Sequence, residues 1–427
     1  MPATLASLNA ILKEAYVEQK IQDQFNENVD SWKDFDSVDL KWTGSQAIFP
    51  LRVARNNSVN ASSTSNTPAA GQQGYLRLVV TAQKVYASAE ILGEAIAAAS
   101  TTAGSFAVEP AEELNGMVKD YNKRLSQLSF FGGVCIGFVW QKQNAATFGY
   151  SGRFFDIAIG AGETVSFFRM DTYAAVGAAT QLNAISSTSL TLNAAINTGA
   201  VPAGTLIAVV VTGLQAALTE PRTIAPTSAA GIDPALTAEP IGMIGNLGLQ
   251  SHFGLNRNSG TAGEVTLRSN FRAVDDTLAA GGALGLDDLQ VLDSTIQTVS
   301  GRRSDKRWSS WNQLNSYPAL LQGTSAGNLR TDVKTSASKA DAGYTDFAYA
   351  NIPFMASDSC PDGLFINICK DTWSRATLKA GHFIDFGEGT FTRVPNTDKA
   401  QASYATYYNL VCKQPNANGV IAALDLV

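Results

Sequence analysis

Two histidines, four cysteines and a few adjacent carboxylates are the residues of this 427-residue chain from which chemistry could be built. His252 and His382 are too few for a histidine-rich metal site or a paired-histidine mechanism. Cys135, Cys360, Cys369 and Cys412 lie far apart with no C-x-x-C spacing, so neither a zinc framework nor a disulfide scaffold is expected. Gly-x-Ser-x-Gly, the turn that exposes a nucleophilic serine, does not occur. Gly160-Ala161-Gly162 lacks the following glycine and the basic residue that a phosphate loop requires. The pairs Glu112-Glu113, Asp275-Asp276 and Asp287-Asp288 stand where first turns of helices favour negative charge. A glycosidase acid and base would draw on partners distant along the chain, and no residue singles itself out for that role. The expectation is a chain that is not an enzyme, with no catalytic residue, no cofactor and no metal.

Charged residues make up only 16% of the chain and hydrophobic residues 45%, against the ~25% charged that is usual for globular chains. Much of the surface is therefore uncharged, or covered by other copies. Lys plus Arg number 31 against 37 Asp plus Glu, a net charge of −6, so no chain-wide basic footprint for nucleic acid is present. Any contact with DNA is expected to be incidental or local. The start, Met1-Pro2-Ala3-Thr4-Leu5, has no basic stretch and apolar core, and no run of ~18 apolar residues predicts a membrane span. A cytoplasmic product with reduced thiols is expected, and its length predicts two or three folded units.

The elements follow from periodicity. Leu5, Leu8, Ile11, Leu12 and Ala15 have helical spacing and predict an amphipathic arm, prolonged by Ile21 and Phe25. Val38 to Arg55 and Tyr75 to Tyr86 read as strands, separated by Asn56–Gly74, a Ser-, Thr-, Asn- and Gly-rich tip. Together they predict a projecting hairpin with strands of about 15 residues, roughly 50 Å long. Such a two-stranded ribbon is marginal alone and needs something to lie against. Ala87–Thr102 reads as an Ala-rich helix. A long helix of about 18–20 residues follows Pro110, with Leu114, Met117, Val118, Tyr121, Leu125 and Leu128 as its stripe. From Asp156 to about residue 250 only Arg169 and Arg222 are basic, and short strand candidates recur at Thr164–Met170, Ser189–Leu192 and Leu206–Thr212. A small inserted β domain is expected there. A helix opens at Gly285-Leu286-Asp287-Asp288, and a second covers Trp311–Leu321. The one basic block holds Arg302, Arg303, Lys306, Arg307, Arg330, Lys334 and Lys339. It reads as a basic surface loop, a charged subunit contact or a DNA-facing patch. Closing strands are expected at Leu364–Cys369, His382–Phe386, Ser403–Cys412 and Val420–Leu424.

This order of parts resembles the HK97-type major capsid protein family of tailed double-stranded DNA bacteriophages. Leu8-Asn9-Ala10-Ile11-Leu12-Lys13-Glu14-Ala15-Tyr16 resembles the arm opening, and Ala47-Ile48-Phe49-Pro50-Leu51-Arg52-Val53-Ala54-Arg55-Asn56 the outgoing E-loop strand. Gly242-Met243-Ile244 with Gly254-Leu255-Asn256-Arg257 is similar to the exit from an insertion, and Tyr407-Tyr408-Asn409-Leu410-Val411-Cys412 to the closing strand. The resemblance implies an α+β fold: N-terminal arm at 1–37, E-loop hairpin at 38–86, P-domain at 87–155 with a spine helix over 110–130, inserted all-β domain at 156–245, and A-domain with closing P-domain strands at 246–427.

It also implies a structural subunit that self-assembles through pentamers and hexamers into an icosahedral shell around packaged DNA. Scaffolding, portal and decoration proteins would be further partners, and no membrane. The location would be the virion, with assembly in the host cytoplasm. Phe49, Arg52, Arg55, Arg77 and Lys84 are the expected subunit contacts, facing the acid-rich residues 14–39 of a neighbour. The tip Asn56–Gly74 has no lysine, so a Lys–Asn cross-link starting there is not expected, and a separate scaffolding protein, or none, is expected in place of a fused one. An encapsulin-like compartment and a β-rich tail or adhesin protein are the alternatives.

Overall fold

The computed structural model describes residues 30–35, 37–38, 46–54, 56, 58, 70–92, 109–130, 135–142, 146–152, 162–169, 177–185, 189–194, 207–211, 270–274, 282–317, 320, 348–385 and 391–425. The expected arm before residue 30 and the segment 212–269 lie outside them.

A short helix α1 (Asp30–Asp34) leads into β1 (Ser37–Val38). Next comes a two-stranded antiparallel ribbon, β2 (Gln46–Ala54) with β3 (Gly74–Thr81), and then β4 (Gln83–Leu92). Residues 87–92, expected as helix, are strand. Exposure alternates along Val85 to Glu90, with Ala89 buried between exposed Ser88 and Glu90, and β4 pairs with a later strand. Sheet pairing outweighs the modest helix preference of alanine.

Helix α2 (Glu109–Phe130) has Pro110 and three glutamates in its opening turns. These suit the missing N–H of proline and the positive end of the helix dipole. Its final residues, Leu125 to Phe130, are all buried. Phe130 meets the Trp308 ring edge to face at 5.9 Å.

A closed barrel follows: β5 (Cys135–Lys142), β6 (Thr147–Gly152), β7 (Thr164–Arg169), β8 (Thr180–Ile185), β9 (Ser189–Leu192) and β10 (Ile207–Val211). It begins at Cys135, upstream of the boundary expected at 156, because Val139, Phe148 and Tyr150 share one core with Val165, Phe167, Leu182, Leu190 and Leu192. Its first and last strands are neighbours, with Cys135 opposite Val210. The chain thus enters and leaves the barrel at one place.

β11 (Asn270–Ala273) precedes α3 (Leu286–Ser300), β12 (Lys306–Ser309), α4 (Trp311–Leu314), β13 (Ala348–Tyr349), β14 (Ile352–Ala356) and β15 (Phe365–Ile368). The closing strands are β16 (Trp373–Phe383), β17 (Phe391–Arg393), β18 (Lys399–Cys412) and β19 (Gly419–Ala422). A six-stranded sheet has the order β11-β19-β15-β12-β14-β13, and a second runs β1-β16-β18-β17 with β4 also on β18. α3 opens as expected: Asp288 accepts a hydrogen bond from the Gly285 N–H at 3.0 Å. It closes on Gly301 in the left-handed region, whose N–H donates to the Gln297 carbonyl. Its face of Leu289, Leu292 and Ile296 packs with Phe354, Phe365 and Ile421 of the first sheet. α4 is a single turn, and Ser316, Tyr317 and Leu320 are helical again beyond it, within the expected Trp311–Leu321.

The chain forms two compact units. Among the described residues, 86–122 and 381–405 belong to one, where Tyr404 stacks edge to face on both Tyr121 and Phe383 at 5.0 Å. The other comprises 28–85, 123–380 and 406–427, including the barrel and the six-stranded sheet.

Candidate assembly surface

The ribbon is the element that calls for a partner. Among the described residues neither β2 nor β3 pairs with another strand, so each has an unpaired edge. The strands hold nine and eight residues, about 30 Å each and shorter than the roughly 50 Å expected. In register, Pro50 stands opposite Arg77 and Arg52 opposite Tyr75, which puts these four residues on one face. Pro50 and Arg52 are exposed, and Tyr75 is 67% exposed. Beyond Ala54 the chain turns on Asn56, whose Oδ1 accepts from the Ser58 N–H and hydroxyl at 2.9 and 2.6 Å. The returning chain passes so close that a Cβ on Gly71 would lie 2.2 Å from that oxygen, and only glycine fits.

The expected contact residues divide. Arg52 and Lys84 are exposed. Arg77 is placed by its register alone, and Arg55 lies outside the described residues. Phe49 is not free surface: it is 7% exposed, with the Lys413 ammonium 6.0 Å from its ring centroid. Phe49 falls on the face opposite Pro50 and Arg52, so the strand alternation that exposes the cation turns the phenylalanine inward. Of the acidic residues expected to receive these cations, Asp34 is already paired with Lys306 of its own chain.

The basic block is broken up. Arg307 of β12 is wholly buried. Its guanidinium pairs with Asp293 of α3, donates to the carbonyls of Tyr349 and Ile352 at 2.9 and 3.3 Å, and lies 5.4 and 5.2 Å from the Tyr349 and Phe354 rings. Asn367 donates to the other Asp293 oxygen at 2.8 Å. Burial pushes the Asp293 carboxyl above its ordinary value and the Arg307 guanidinium below its own, because desolvation outweighs their mutual attraction. Arg307 is thus a core residue, neither loop nor DNA patch. The sequence did carry a signal: Trp308 directly follows it, inside a four-residue strand-like run. Arg302 reaches Asp371 only across 3.8 Å at the surface, and Arg330, Lys334 and Lys339 lie outside the described residues.

Cys360, Cys369 and Cys412 are buried free thiols. Burial pushes Cys412 up to about 12. His382 lies half-buried in β16. Among the described residues no group of three His, Cys, Asp or Glu side chains could hold a metal ion, and no helix is long and apolar enough to cross a membrane.

No family model matches the chain, and no curated protein matches it. Solved structures do. The chain is similar to a chain of the cyanophage A-1(L) capsid asymmetric unit, with a TM-score of 0.57 at 11% identity, over 99% of both chains. It is also similar to a chain from the capsid of a native GTA particle, with a TM-score of 0.51 at 8% identity, again over 99% of both. A likeness that runs the full length of both partners is one of whole architecture, carried by order of elements where residues have diverged. The chain has the HK97-type fold of phage capsid proteins, a mixed α and β architecture richer in strand than in helix.

Proposed function

We propose that the chain is a major capsid protein, a structural subunit that self-assembles into an icosahedral shell around packaged double-stranded DNA. The observation that carries this reading is the full-length likeness to a capsid subunit. The two-stranded ribbon supports it, since a ribbon with unpaired edges gains most by lying against another copy. In this reading the ribbon is the E-loop, with Arg52, Arg55, Arg77 and Lys84 as its contact cations. α2 is the P-domain spine and the barrel is an inserted domain. Residues 1–37 form the arm, and the six-stranded sheet belongs to the A-domain within 246–427. Scaffolding, portal and decoration proteins would join the shell, and DNA would meet its inner face without sequence specificity. The location is the virion, after assembly in the host cytoplasm. Neither the encapsulin-like compartment nor the adhesin is favoured by any feature above. Purified full-length protein, with and without a co-expressed scaffold, should give shells or rings of pentamers and hexamers in electron micrographs. A strictly monomeric chain at high concentration would overturn the reading.

A further inference from the structure

Residues 30–38 are tied to the body of the molecule far more thoroughly than their length requires. Ser31 is buried in a hydroxyl cluster on the end of α2, with its Oγ 2.7 Å from those of both Ser126 and Ser129. Trp32 is gripped twice by Arg375 of β16, whose guanidinium carbon lies 4.6 Å from the ring centroid and whose Nη1 donates to the Trp32 carbonyl at 3.0 Å. The same ring meets Tyr408 of β18 edge to face at 4.6 Å. Asp34 pairs with Lys306 of β12, and Phe35 stacks on Trp373 of β16 at 5.6 Å. Ser37 and Val38 then continue β16 as a parallel partner, opposite Arg375 and Ala376. Six of the nine residues thus hold to α2, β12, β16 or β18 of one compact unit. Neither the barrel core nor the core under α3 includes any of them, so the stretch can detach while both cores stand.

We propose that residues 30–38 are a clip, a fixed pivot that aims the ribbon at other copies, and so controls assembly without itself touching another copy. This rests on the shell reading above. Seven residues, 39–45, separate the clip from Gln46, where β2 begins to pair with β3, so the clip and the ribbon are near neighbours along the chain. Trp32 and Arg375 are its positioning residues, because their stacked and hydrogen-bonded contact joins the middle of the clip to the sheet.

The test is Trp32→Ala in the full-length chain, read in three ways. Lys33 is exposed and sits inside the clip, so tryptic cutting after Lys33 reports its release, tracking the population of the open form. Cutting should speed up by roughly tenfold or more while the circular dichroism and main thermal transition stay close to wild type, as expected for local and not global opening. Shell yield under conditions where the wild type assembles should fall to a small fraction. Unchanged protection of Lys33, or normal shells despite faster cutting, would overturn the clip. If Trp32→Ala fails to fold, Arg375→Lys decides: it keeps the charge and loses the flat stacking group, and normal shells with normal protection would again overturn the proposal. A wild type that never assembles would instead bring down the shell reading, and the clip with it.

Discussion

Arg307 shows how far a single residue can depart from the impression its neighbours give. Arg302, Arg303 and Lys306 surround it in sequence, yet its guanidinium is sealed between α3 and the β13–β14 turn, where Ala350 and Asn351 both adopt left-handed backbone. The two carbonyls it binds flank that turn, so it holds a strained connection in place. Arg307→Ala should cost about 3–5 kcal/mol, because it strands Asp293 without its cation. A double change to Arg307→Met with Asp293→Leu should recover most of that loss, as measured by urea unfolding of the soluble subunit. A second expectation concerns the thiols. With Cys412 pushed up to about 12, roughly one thiol in ten thousand is ionised at pH 8, and only the thiolate reacts. Cys360, Cys369 and Cys412 should therefore resist alkylation in the native protein and label together as it unfolds. Mass mapping of labelled peptides across a denaturant series checks this; ready labelling of Cys412 in the native state would contradict it.

Among the elements, the barrel and the ribbon make the sharpest demands. Since Cys135 lies opposite Val210 on adjacent strands, the ends of the barrel can be joined by a short linker without moving either flank. Replacing residues 135–211 with a brief Gly/Ser bridge should leave a soluble chain that still melts in one cooperative transition. Loss of secondary structure throughout the rest would mean that the barrel is integral and not inserted. For the ribbon, the exposed Arg52 makes charge reversal informative. Exposed ion pairs contribute only ~0–1 kcal/mol each, but a shell repeats every contact many times over. Arg52→Glu with Arg55→Glu should abolish assembly while the melting temperature of the isolated subunit stays near that of the wild type. Normal shells from the double variant would remove the cationic face from the assembly contact.

At the scale of the whole molecule, the proposed shell is expected to hold together without a Lys–Asn cross-link whose lysine comes from the ribbon tip, because Asn56–Gly74 contains no lysine, only asparagines such as Asn57, Asn60 and Asn66 that could accept one from elsewhere. Mature particles boiled in reducing detergent should run as a single band near 45.1 kDa, and a ladder of oligomers would show cross-links made elsewhere. Several elements were legible from residues alone: apolar spacing of 3.6 marked α2 and α3, polar turn residues marked the stretch between β2 and β3, and acidic pairs marked the start of α3. These signals are local, set by the dihedral preferences of neighbouring residues, and so survive without tertiary information. What tertiary structure alone decided was which elements share a core. It made strand of the Ala-rich 87–92, because pairing with β18 offered more than helix propensity. It drew β5 and β6 into the barrel, turned Phe49 inward and Arg52 outward, and sealed Arg307 beneath a turn more than forty residues away. Each of those outcomes depends on a partner distant in sequence, and burial, which fixes the cost of a charge or the gain from an aromatic ring, exists only once that partner has arrived.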